Sequence, residues 1–157
     1  MTPESAAVAT TLALILGSIA LGGGIYETLL VDAAWPGNLR LIQPHRGGLN
    51  RKMFWALVHP LSELALLVSA WMNWSQPSVR VWVIVALVAH FAARAWSFAY
   101  FIPRALRFEK LDELTPDDRH AAIRWTKLSR CRPLLEALSI AALAVVLLHS
   151  TNAVTSR

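Results

Sequence analysis

The sequence predicts an all-α integral membrane protein: one four-helix bundle over residues 1–157, with an interfacial cytoplasmic helix between the third and fourth spans. Three observations predict it. The chain is 55% hydrophobic and only 16% charged, with a mean hydropathy of +0.45, outside the balance of a soluble domain. Its apolar residues fall into four runs, predicting helices at about 6–31, 53–74, 79–102 and 131–149. Its basic residues gather in two loops that an even number of crossings puts on one side.

The first helix carries Glu4 where a secretory signal would be basic, and its apolar run continues to Ile25, so it reads as a retained span. Gly17 and Gly22-Gly23-Gly24 precede Glu27 and predict close approach of another helix. Trp35-Pro36-Gly37-Asn38 marks an interfacial tryptophan and a turn. The glycine-rich basic stretch Arg46 to Lys52 matches no phosphate loop and reads as a connector at anionic headgroups. The second helix ends in the aromatic belt Trp71-Met72-Asn73-Trp74, and Ser75-Gln76-Pro77-Ser78 turns the chain into the third. The third helix is expected to stop at Ile102-Pro103. Thr115-Pro116-Asp117-Asp118 then starts a helix with a capping threonine, a first-position proline and acids in the first turn. That helix places Ala121, Trp125 and Leu128 on one side, suited to an interface. Cys131 is alone, so the chain forms no internal disulfide.

Formal charge is +5 and the pI about 10.1, but the placement of the charge argues for membrane topology and against nucleic acid. Arg40, Arg46, Arg51 and Lys52 lie in the first loop. Arg104, Arg107, Lys110, Arg119, Arg124, Lys127, Arg130 and Arg132 lie between the third and fourth spans, against Arg80 and Arg157 on the other side. The positive-inside rule places both loops in the cytoplasm and both termini outside, as in a bacterial cytoplasmic membrane.

Six ionisable residues interrupt the apolar runs: Glu27, His59, Glu63, His90, Arg94 and Glu136. Such groups are costly at membrane depth, so they call for internal partners and mark a candidate site. His59 and Glu63, four apart, share a helix face. At 1.5 Å per residue all six fall roughly 8 to 18 Å from the cytoplasmic boundary, which predicts one polar centre. Pro60 removes a donor to the Ala56 carbonyl and is expected to kink the helix beside His59. An internal echo pairs Pro60-Leu61-Ser62-Glu63 with Pro133-Leu134-Leu135-Glu136. A second pairs the exits at Trp35 and Ile102, at an offset of 67.

Several chemistries fit such a centre. His59, Glu63, His90, Glu27 and Glu136 are candidate ligands for a transition metal, iron, zinc or manganese, although no Glu-x-x-His pair is present and Arg94 would add a positive charge. A haem between His59 and His90 is less favoured, because the two differ in depth. A metal-free site for proton transfer and a purely structural ion-pair network are the other readings. In a catalytic reading Arg94, Glu27 and Glu136 orient groups, move protons or stabilise an anion.

The four-helix layout with Asn50-Arg51 in its first basic loop resembles the anthrone oxygenase-like family of small membrane proteins. So do Arg94-x-Trp96-Ser97-Phe98-x-Tyr100-Phe101-Ile102-Pro103, and Trp125 followed by Arg130 and Arg132. Where that family tends to show Trp-x-x-x-Asn, this chain has Trp125-Thr126-Lys127-Leu128-Ser129. The resemblance implies the four-helix architecture and, from members associated with oxygenation of polycyclic aromatics, an oxygenase-type activity. The expected function is therefore a membrane enzyme of oxidoreductase or oxygenase type. Its partners would be membrane lipid, a hydrophobic small-molecule substrate and a possible second copy of the chain. A proton-coupled transporter and a structural membrane subunit are the alternatives.

Overall fold

The computed structural model describes residues 2–155, so Arg157 of the charge argument lies outside the described residues. Helix α1 (Pro3–Tyr26) starts where the Thr2 side chain accepts from the Ser5 amide. It widens into a π turn over Glu27–Val31 and ends in a last turn, Asp32–Ala34. Helix α2 is Arg51–Asn73 and α3 is Pro77–Trp96. A π turn over Ser97–Phe101 leads α3 into a continuation, Ile102–Glu109. Helix α4 is Pro116–Ser129 and α5 is Arg132–Thr155. No strand occurs among the described residues.

Four helical segments are long and apolar enough to cross a membrane: Glu4–Ala34, Arg51–Asn73, Pro77–Glu109 and Pro116–Ser150. Only 28–33% of each apolar window is buried inside the protein. Much of the apolar surface of all four therefore faces outward, which is compatible with a membrane protein.

The predicted stop at Pro103 is not a stop, and the π turn before it is the reason. The Ile102 amide donates to Ser97 O, five residues back, and Pro103 falls in the first turn of the continuing helix, where its missing N–H is tolerated. Helix α1 does the same, with the Asp32 amide on Glu27 O. The two π turns begin at Glu27 and Ser97, seventy positions apart, within three residues of the offset in the sequence echo.

Packing does not follow that echo. Helix α5 packs closely on both α1 and α3, and α1 packs on α2, whereas α2 and α3 touch far less. Gly17 lets Ile140 come within 3.4 Å of its missing Cβ position, and Gly24 faces Pro133, so the glycines do serve helix contact. Near the 74–76 turn, α2 and α3 meet around Ala70, Val79, Val83 and Val146. Towards their other ends they frame a cavity. That basic end is closed by a core of Val31, Trp35, Ile42, Phe101, Phe108, Ala122 and Trp125. Helix α4 begins at the predicted cap, where Thr115 Oγ1 accepts from the Asp118 amide at 3.2 Å. Its apolar side, expected at an interface, is directed into this core: Trp125 is buried and donates to Phe101 O at 3.1 Å. The loop before α2 is tight, since a Cβ on Gly48 would collide with Arg40 O.

Candidate functional site

A cavity of about 510 Å³ opens between α2 and α3 at the basic end. Its apolar wall includes Leu21, Pro60, Phe98, Ile102 and Leu106; its ionisable wall includes Glu27, Arg51, His59, Glu63, Arg94, Glu109, Arg132 and Glu136. Five of the six predicted residues thus face one space. His90 lies behind it, buried, and reaches it through its neighbours.

The six divide into two groups. The inner group is a chain across α2, α3 and α5. His90 Nδ1 lies 3.1 Å from Glu136 Oε1, and because a carboxylate only accepts, that nitrogen carries the proton. His90 Nε2 faces Glu63 Oε1 at 3.9 Å, and Arg94 Nη2 faces Glu136 Oε2 at 3.9 Å. Arg94 also donates to His59 Nε2, which fixes the His59 proton on Nδ1. The His59 ring is stacked on Trp55 with centroids 4.5 Å apart. Ser62 Oγ donates to His59 O in the same turn, and Pro60 sits inside an uninterrupted α2 with Ala56 and His59 beside it on the cavity wall.

Glu27 belongs to the outer group. It accepts from Arg51 Nη1 and from Trp55 Nε1, both at 2.7 Å. Gly23 makes the second contact possible, since a Cβ there would fall 2.5 Å from the Phe54 ring and 3.4 Å from Trp55. Arg51 continues to Glu109 at 3.4 Å, and Lys52 pairs with Glu109 at 2.6 Å. The continuation of α3 past Pro103 is what carries Glu109 back over the cavity mouth.

No protein-family model, curated protein or solved structure matches the chain.

The predicted metal set does not assemble. Among the described residues no three of histidine, cysteine, aspartate and glutamate converge as ligands. Arg94 occupies His59 Nε2, and Glu27 is bonded to Arg51 and Trp55 instead of joining His59 and Glu63. A guanidinium among the donors opposes a cation at the same point. The haem pairing of His59 with His90 meets the same obstacle at His59.

Arg51, Trp55, Glu109 and Arg132 were missed as site residues. Two of them carried a signal, because Arg51, Trp55, His59 and Glu63 recur every four positions and share one stripe of α2. Glu109 and Arg132 carried none, being placed by the π turn and by α4 respectively.

Proposed function

We propose that the protein is a membrane-embedded enzyme of oxidoreductase or oxygenase type that admits a hydrophobic small molecule between α2 and α3 and exchanges a proton with it. The observation carrying this reading is that Glu63, its side chain 32% exposed, stands on an apolar-walled cavity in front of the buried pair His90–Glu136. A carboxylate so placed accepts a proton from a weakly acidic substrate, and the imidazole behind it relays charge to Glu136 and Arg94. The 3.9 Å between Glu63 and His90 exceeds a direct hydrogen bond, and such contacts commonly tighten on substrate binding. A volume of about 510 Å³ is in the range of small-molecule sites. The redox character rests on the resemblance to the anthrone oxygenase-like family.

The outward apolar surface supports insertion in a membrane, and the basic loops support an orientation with the cavity in the cytoplasmic half and both termini outside. The transporter alternative needs a polar path through the bundle. Here an apolar layer of Ala13, Leu66, Ala86, Ala142 and Leu143 lies between the cavity and the far polar residues.

The test is turnover of anthrone with O₂, to anthraquinone and water, by purified protein in liposomes. Protein-dependent product and O₂ uptake are expected. A rate equal to that of empty liposomes, with no binding of anthrone, would overturn the enzyme reading.

A further inference from the structure

Most charged groups around the cavity meet an opposite charge at short range; Glu63, whose one contact is His90 at 3.9 Å, and Arg132 are the exceptions. Glu27 and Glu109 are met by Arg51 and Lys52, and Glu136 by His90 and Arg94. Arg132 lines the same cavity, yet among the described residues no carboxylate oxygen lies within 4 Å of it. It is held otherwise. Its guanidinium lies over the Phe101 ring at 4.3 Å and near Trp125 at 5.7 Å, and Nη2 donates to Ser129 Oγ at 2.7 Å. Ser129 in turn donates to the buried Asp32 at 2.7 Å. Asp32, reached through Ser129, and Glu27 act on the guanidinium only from longer range, so two aromatic faces and an anchored hydroxyl fix its plane without a direct ion pair. A fixed guanidinium fork with no carboxylate bonded to it is suited to an oxyanion.

We infer that Arg132 anchors an anionic oxygen, a carboxylate or a phenolate, on an otherwise apolar ligand of the cavity, with Ser129 and Asp32 as positioning residues. The inference rests on the cavity reading above and adds the ligand's chemical class to it. The apolar body occupies the wall formed by Phe98, Ile102 and Leu106, on the side where α2 and α3 diverge. Two sources supply this chemistry: a ring compound bearing an acidic hydroxyl or carboxyl group, and a fatty acid from the bilayer.

The experiment uses full-length protein in phosphatidylcholine nanodiscs at neutral pH. Two matched pairs are titrated: 9-anthracenecarboxylate against 9-anthracenemethanol by fluorescence, and palmitate against hexadecanol by displacement of the anthracene probe. The anion of at least one pair is expected to bind tighter than its alcohol by about tenfold or more, as for one charge-assisted contact. The pair with the larger ratio identifies the source. Arg132→Gln is expected to abolish the preference by weakening the anion far more than the alcohol, and Ser129→Ala to reduce it severalfold. Arg80→Gln, a change of exposed charge, is expected to leave it intact. Equal binding of anion and alcohol by the wild type overturns the inference while keeping the cavity reading; binding of neither overturns both. A preference that survives Arg132→Gln, or falls equally with Arg80→Gln, also overturns it. Should Arg132→Gln fail to fold, Arg132→Lys keeps the charge and loses the planar fork, and an unchanged preference in both Arg132→Lys and Ser129→Ala is then the overturning result.

Discussion

The bundle contains two buried polar layers, and they are built on opposite principles. Near the α2–α3 turn, Asn73 Nδ2 donates to Ser69 O at 2.9 Å and Thr10 Oγ1 at 3.0 Å, while its Oδ1 accepts from Ser150 Oγ at 3.3 Å. Thr10 and Ser69 lie 2.9 Å apart and Thr10 also donates to Ala6 O. Every member is small and neutral, and no buried side-chain atom of this layer lacks a partner. At the basic end the groups are charged and bulky and surround a cavity. There His59 Nδ1, His90 Nε2, Arg94 Nε and Glu136 Oε2 have no hydrogen-bond partner among the described residues. A closed neutral network fixes helix register at little electrostatic cost; an open charged one costs stability and retains unused donors and acceptors. The contrast separates a structural polar layer from a candidate site within one bundle.

The largest expected effect breaks the comparison at Glu63. Glu63→Gln is expected to lower the rate on anthrone by about 10²–10⁴, the usual worth of a positioned general base. Its melting temperature should stay near the wild-type value, because the side chain makes one long contact. A rate unchanged by this substitution would remove Glu63 from the chemistry. Next, Arg94→Ala is expected to destabilise the protein by roughly 3–5 kcal/mol, since it strips Glu136 and His59 of their cationic partner in a buried site. Arg80→Ala, at an exposed arginine that donates to Trp74 O, should change stability by no more than about 0.5 kcal/mol. Equal thermal unfolding of the two variants in detergent would refute the buried network. The smallest effect sharpens the comparison from the other layer: Asn73→Ala is expected to cost about 1–3 kcal/mol. Turnover and the anion preference of the cavity should be unaffected by it, and a loss of either would mean that the two layers are coupled.

The sequence by itself determined the element plan apart from the continuation of α3 past Pro103, because the rest of that plan depends on local quantities. Four apolar runs set the four long helices, Thr115 and Pro116 set the start of α4, and the exposed Trp71 and Trp74 mark the end of α2. The cost of burying charge also singled out His59, Glu63, His90, Arg94 and Glu136, which the fold does bring together. Which partner each would take was not legible. Ion-pair choice depends on ångström separations between helices, and each π turn rotates the downstream residues by about 100° relative to a regular helix, a shift that residue counting cannot anticipate. Only the tertiary structure could therefore assign Glu27 to Arg51 and Trp55, bring Glu109 over the cavity mouth, and turn the apolar side of α4 inward. The same holds for Arg132: Asp32 and Ser129, far apart in the chain, meet through the packing of α4 on the end of α1 and leave that guanidinium facing the cavity with no direct carboxylate contact.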